Sequence, residues 1–549
     1  MRSIYTLLSL IFTFVLSIAQ PDLTTEQWQE DVRWLQQKII NDYRPLFHKI
    51  TLDDWNKHVD DLYHNIPEME DHEVMVGIAE IVAKFGYGHT AFWLTAWRYN
   101  RLKDFHQMPY NLYWFPEGIY VQGVHQYYEE ALGAKVIKVG NVTVEEAIEA
   151  IRPVVSAENE QFFKAHGLNY LGVPEVLNAK GVIDDMSQVT LTLEKNGKQY
   201  EITFKPRPSE QLPGYYGLIQ SQGEWLDARP GNTTPLWLKH LYKKYYMEYL
   251  ENDKVVYVRQ SEVQDDPEEN IEQFYGRVFD FIDNNEVEKL VIDLRLNSGG
   301  NNYKNKPIIK GLIQSKKINQ PGELFVILGR RTFSACQNLV NEIENYTNAI
   351  FVGEPTAENV NFFGDNRVER LPNSDLPIRL SYLWWQDKDP RDNREWTPPH
   401  IAVEMSFEDY ISNRDPVLEH ILKNNTFEKP VEPWDHLASL FMAGKMDELK
   451  STAVEFVNDP KYRFYDFEGR MNDAGYQLLG AERFEEAIMV LTLTTDLFPD
   501  SANAWDSLAE AHYRAGNIEK AKELYNKAMK MDPEGPTGQN AKMMLEKIN

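Results

Sequence analysis

Two short stretches hold the side chains best suited to covalent chemistry. In "VILGRRTFSACQN" (326–338) an apolar strand pattern runs into a turn, and Ser334 opens the helical pattern that follows. Unpaired backbone N–H groups at such a helix start stabilise an anion, which is what a serine attacking a carbonyl generates. The same loop is equally readable as a plain helix start, with Thr332 or Ser334 as its cap. Cys336, the only cysteine of the chain, falls about 200° round the helix from Ser334 and reads as a small core residue. In "VIDLRLNSGGNN" (291–302) a second apolar strand ends at Gly299-Gly300. Paired glycines permit positive φ and close approach, so their amides, with that of Ala335, are candidate oxyanion donors. "GYGHTAF" (86–92) places His89 beside a glycine turn, and imidazole is the side chain that best exchanges a proton near neutral pH. None of the 13 histidines stands in an H-E-x-x-H or similar spacing, so neither a metal nor another cofactor is expected.

The elements that must position these residues occupy a chain of 549 residues, long enough for three or four domains. A net charge of −27 argues against nucleic-acid binding, which needs basic patches to displace counterions. Arg2, the apolar run Ile4–Leu16 and the small residues Ser17 and Ala19 form a signal-peptide pattern over 1–19. Cleavage near Ala19 would give an exported, periplasmic or extracellular protein. No later run reaches about 18 apolar residues, so no stable membrane insertion is expected. A single cysteine excludes an intramolecular disulfide framework.

Residues 24–86 read as a small helical bundle, with Trp28, Val32, Leu35 and Ile39 at helical spacing behind a Thr24 or Thr25 cap. From about Tyr110 alternating apolar residues predict strands, including a hairpin closed by the Asn196-Gly197 turn. With the helical "TVEEAIEAIRPVV", this strand-rich unit fits a small peptide-binding barrel of PDZ type. Next, "KVVYVRQ", "KLVIDLRLNSGG", "ELFVILG" and "AIFVGEP" alternate with helical segments, which predicts a parallel sheet covered on both faces. Both candidate loops then fall at carboxyl ends of strands, where such sheets gather their functional groups. After about Pro430 a 34-residue shift superposes Ala487 on Ala521 and Pro499 on Pro533, and the second copy carries the tetratricopeptide pattern Trp505, Leu508, Ala509, Ala521, Tyr525, Ala528, Pro533. "WDHLASLFMAGKMDELKSTAVEF" reads as a degenerate earlier unit. Such repeats either pack on the rest of the chain or dock a protein partner, and the sequence leaves both open.

In this order and spacing, "DLRLNSGG", "GRRTFSA", "VGEPTAENVNFFGD", "LPNSDLPIRLS" and "SNRDPVLEHIL" resemble the tail-specific (C-terminal-processing) serine peptidase family, in its branch with the tricorn core and interphotoreceptor retinoid-binding protein. The resemblance covers about residues 24–423. It implies a multidomain α/β protein with a crotonase-like (ClpP/crotonase) catalytic core at 207–425. An N-terminal helical domain at 20–108 would end in the His89 segment, with a PDZ-like insert at 109–206; the tetratricopeptide pattern adds an all-α repeat domain at 426–549. It further implies hydrolysis of a peptide or protein substrate by Ser334. One branch activates the serine with a lysine about 25 residues downstream, but no lysine lies between Lys317 and Lys388. The tricorn-like branch uses a histidine, which makes His89 the general base. A third member is expected near "DPRDNREWTPPHI", with Glu395 and Asp392 as candidates. The chain departs from the pattern at Tyr87-Gly88 before His89, at Gln337, and at Cys336. The alternatives are a silent peptide- or ligand-binding scaffold of the same fold, and an esterase using the same serine.

Overall fold

A computed structural model describes residues 23–95, 105–208, 221–231, 233–423 and 432–548. The signal-peptide segment lies outside them. The chain divides into two units: Met1–Trp114 with Gly118–Ala228 and Phe362–Trp385, and Phe115–Glu117 with Arg229–Asn361 and Gln386–Asn549. The hairpin within 362–385 thus joins the N-terminal unit, although the linear reading places it inside 207–425.

The first unit begins with helices Thr25–Asp42, Leu52–Asn65 and Asp71–Ala83. Thr24 starts the first in a capping box with Gln27. Trp28, Val32, Leu35 and Ile39 are buried, as their helical spacing requires, together with Trp55, Val59, Ile78 and Val82. An antiparallel sheet follows in the order Tyr110–Phe115, Gly118–His125, Lys135–Val139, Val189–Lys195, Lys198–Phe204. Its last two strands are joined by Asn196 and Gly197 at φ 55° and 71°, the positive values that an Asn-Gly hairpin turn needs. The helix Val144–Ile151, capped by Thr143, buries Ala147, Ile148 and Ile151.

The second unit is built on six strands whose spatial order follows the chain: Tyr245–Leu250, Val255–Gln260, Lys289–Asp293, Leu324–Leu328, Ile350–Gly353 and Ile401–Ala402. The first pairs antiparallel and all later neighbours are parallel. Because every crossover steps the same way and has the same hand, the intervening helices share one face. There Ile271–Asn284, Lys306–Gln314 and Ala335–Tyr346 cover Val256, Val258, Leu290, Ile292 and Val326. Alternate residues of the same strands, Val255, Tyr257, Val291, Phe325 and Ile327, face the helix Pro416–Lys423 through Val417, Leu418 and Ile421. Both faces are dry, which is why the strands read as continuous apolar runs.

Helices starting at Pro433, Phe467, Ala502 and Pro536 continue this unit, so successive first helices begin 34, 35 and 34 residues apart. The degenerate segment 434–456 therefore keeps the repeat register. Ala487, Leu491, Leu508, Ala521, Tyr525 and Ala528 form the buried seam. The first pair is fastened to the sheet side of the unit by Arg463 on Glu404 (2.8 Å) and by the Trp396 indole N–H on the Phe464 carbonyl (3.3 Å).

Candidate active site

Strands Lys289–Asp293 and Leu324–Leu328 are parallel neighbours in register, Asp293 opposite Ile327, so the loops leaving their carboxyl ends meet. Asn297 and Thr332 knit them together. The Thr332 hydroxyl donates to the Leu294 carbonyl (3.0 Å) and accepts the Gly329 N–H (3.1 Å), while the Phe333 N–H donates to the Asn297 carbonyl (3.1 Å). Thr332 is therefore a loop tie and not a helix cap.

Ser334 is the N-cap residue of Ala335–Tyr346 by position, at φ 59° and ψ −130°, and its side chain makes no capping bond. A non-glycine residue in this region carries strain of order 1–3 kcal/mol, which the surrounding structure must enforce. The cap reading of the loop fails on this geometry. The half-buried hydroxyl is left for other work.

Gly299 lies against this serine, and Gly300, the next residue, lies against Val263. Gly299 stands at φ 96° and Gly300 at φ 143°. A Cβ on Gly300 would sit 2.4 Å from the Val263 carbonyl oxygen, so only glycine fits the approach. The two amides differ in availability. The Gly299 N–H donates to the Asn297 side-chain oxygen (3.0 Å), whereas the Gly300 and Ala335 N–H groups have no hydrogen-bond partner among the described residues. The sequence treated both glycines alike, and the Asn297 bond separates them. Cys336 is fully buried in the helix-side core, and burial pushes its thiol well above the ordinary range. It cannot supply a thiolate.

His89 belongs to the N-terminal unit. Gly86 at φ 65° turns the chain after the third helix, and the Gly88 N–H is held by the buried Glu158 carboxylate (3.1 Å). Thr90 is fully buried and exchanges hydrogen bonds with Ser381: its hydroxyl donates to the Ser381 hydroxyl (2.9 Å) and accepts the Ser381 N–H (3.1 Å). Ala91 pairs with Arg379 through both backbone bonds (3.0 Å each). The segment is thus stitched to the hairpin Asn361–Arg370/Pro377–Gln386, and the imidazole stacks at 6.3 Å on Phe362. Burial lowers the His89 pKa, Arg379 adds to that, and Glu158 and Asp365 pull the other way. The net shift favours the neutral imidazole.

The third-member candidates fare differently. Asp392 is clasped by Arg394 (2.8 Å), which also pairs with Glu344 (3.0 Å). Glu344 lies ten residues along the helix that Ser334 opens, roughly 15 Å at 1.5 Å per residue. Glu395 is exposed. Two buried acids escaped the sequence reading: Glu158, 70 residues beyond Gly88, and Glu358, whose carboxylate accepts the Ser334 backbone N–H. Neither belongs to a local pattern. The described residues contain no group of three His, Cys, Asp or Glu side chains placed for a metal ion, and no helix among them is long and apolar enough to cross a membrane.

No curated protein sequence matches the chain. A family model described as tetratricopeptide repeat matches residues 478–545. Among solved structures, mature CPAF complexed with lactacystin matches with a TM-score of 0.53 at 12% identity, covering 73% of this chain and 97% of that one. Mature CPAF without that ligand gives 0.51 at 12% identity, covering 74% and 99%. The photosystem II D1 C-terminal processing protease aligns over 73% and 97% at 12% identity, with a TM-score of 0.35. The chain is a multidomain α/β protein with the fold of CPAF and a C-terminal tetratricopeptide region.

Proposed function

We propose that this protein is an exported serine endopeptidase with Ser334 as its nucleophile. The observation that carries the reading is the uncapped hydroxyl of Ser334 at positive φ, beside two amides, Gly300 and Ala335, that have no partner of their own. Its six-stranded unit is read as a crotonase-like core, and the antiparallel sheet of 110–204 as a PDZ-like module that captures a peptide end by strand addition. Export rests on the N-terminal signal pattern.

In this mechanism His89 accepts the Ser334 hydroxyl proton as the oxygen bonds to the peptide carbonyl carbon. The carbonyl oxygen takes the negative charge, held by the Ala335 and Gly300 N–H groups, with Gly299 giving the close approach. Collapse breaks the C–N bond, and the imidazolium returns its proton to the leaving amine. Water then repeats the sequence on the acyl-enzyme, releasing the acid and free Ser334. Glu395 and Asp392 stay the candidates for orienting the base, the Asp392 carboxylate being already paired with Arg394.

A fluorophosphonate probe and an unbiased peptide-library digest test the reading together. Labelling and cleavage are expected in the wild type and lost in Ser334→Ala. A folded wild type that neither labels nor cleaves is a silent binding scaffold, and ester hydrolysis without peptide cleavage reassigns the substrate class.

A further inference from the structure

What holds Ser334 in a conformation that serine avoids? The chain supplies its own comparison. Thr24, Thr51, Thr143, Ser406 and Ser501 also precede α-helices, all at φ between −65° and −85°, and each accepts a hydrogen bond from the first turn of its helix. That is the ordinary behaviour of the residue type at this position. Ser334 alone among them stands at positive φ with an uncapped hydroxyl.

Thr143 and Ser406 also give their backbone N–H to an acid, but to Glu146 (2.8 Å) and Asp409 (3.2 Å) in the first turn of their own helices, whereas Ser334 gives its N–H to an acid on a separate segment of the chain. Glu358 is fully buried, and a side-chain oxygen accepts the Ser334 backbone N–H. The acid is itself held in register. The Ala357 N–H donates to the Thr332 carbonyl (2.9 Å), so 356–358 runs beside 332–334. The Thr356 hydroxyl donates to the Glu358 carbonyl (3.3 Å) and accepts the Thr397 N–H (2.9 Å). The Thr397 hydroxyl in turn accepts from the Gln337 side chain (2.9 Å) in the first turn of the Ser334 helix. Loop, acid and helix start form one closed network.

We propose that Glu358 is the positioning residue of the nucleophile. By accepting the Ser334 N–H it fixes the backbone that turns the hydroxyl away from capping, and it leaves the oxyanion to the Ala335 and Gly300 amides. The proposal rests on the serine-peptidase reading for its kinetic consequence, but its structural half stands separately.

The experiment compares Glu358→Gln, Glu358→Ala and Glu358→Asp in the full chain, by fluorophosphonate labelling rate, by kcat and KM on a cleaved library peptide, and by amide exchange of a peptide spanning 331–338. Glu358→Gln keeps an acceptor oxygen at the same reach and is expected within about threefold of wild type. Glu358→Ala is expected to lose about 100-fold in labelling and kcat with KM unchanged, the scale of a misplaced reacting group, and to exchange faster at 331–338. Should it fail to fold, Glu358→Asp carries the test, because it keeps the carboxyl group but falls one methylene short. Wild-type labelling and exchange in the Ala or Asp variant overturn the proposal. So does a Gln variant as slow as Ala, which would make charge and not the acceptor the requirement. If the wild type itself neither labels nor cleaves, the peptidase reading fails while the exchange comparison still decides whether Glu358 holds Ser334.

Discussion

A Cβ added at Gly299 would stand 2.6 Å from the Ser334 Cβ and 2.8 Å from the Ala335 amide nitrogen. The glycine is therefore a spacer between the serine and one of the two unspent amides. Gly299→Ala must push the Ser334 loop aside while also adopting φ 96°, a region L-residues rarely enter. We expect fluorophosphonate labelling at Ser334 to fall at least about 100-fold, with the far-ultraviolet spectrum unchanged. Labelling at the wild-type rate would show that the two loops do not form one site.

The pH profile follows from His89. Its pKa is lowered mainly by burial, so the neutral base persists below the ordinary value of 6.5. The acid limb of kcat/KM should accordingly have its midpoint below 6.5. The sign for stability is the same: the unfolded chain binds the proton more readily. The His89 contribution is therefore complete above pH 6.5 and is lost as pH falls through the depressed folded value. His89→Gln should remove the acid limb and most of the rate together. Replacing Asp365 with Asn removes a charge that raises the His89 pKa, so the limb should move further toward acid.

Much of this was written in the sequence, and what was not has a physical reason. The apolar runs 255–258, 289–292 and 324–328 predict a parallel sheet because both faces are dry, and that is how they are buried. Asn196-Gly197 predicts its turn because both residues must take positive φ. The hairpin at 361–386 gave no comparable signal. Beyond Gly364 its first strand is polar and largely exposed, so no apolar alternation marks it. Glu158 and Glu358 were invisible for another reason. Each acts on a backbone N–H far away in sequence, 70 and 24 residues off, and a single acid carries no periodicity. The absent downstream lysine was legible, but the acid bonded to Ser334 was not.

Cys336 offers a negative control for the nucleophile. It is fully buried, packs with the sheet-facing helices, and has a thiol pushed well up by desolvation. Folded protein should stay unmodified by a water-soluble thiol reagent and become reactive only on unfolding. Cys336→Ala should cost about 1 kcal/mol of stability for the small cavity it leaves, with labelling at Ser334 retained. Loss of labelling in that variant alone would move the chemistry to the thiol.

The tetratricopeptide region carries a pH dependence of opposite sign. Asp506 is buried on the first helix of the pair 502–531, and burial raises its pKa to about 6 despite a hydrogen bond from the Asn540 amide (2.8 Å). Glu510 nearby pushes it the same way. Because the folded value exceeds the unfolded one, the native state binds the proton more tightly. The stabilisation is complete below about pH 4 and lost as pH rises through about 6. Above that, the ionised carboxylate weighs against the fold by roughly 2–3 kcal/mol. Asn at 506 keeps an acceptor for Asn540 without the charge. Asp506→Asn should therefore raise the thermal midpoint of the repeats at pH 7.5 by several degrees and change it little at pH 4.5. Differential scanning calorimetry at the two pH values measures both terms. An equal shift at both would assign the effect to packing, and a decrease at pH 7.5 would mean that the Asp506 charge has a stabilising partner in the folded repeats.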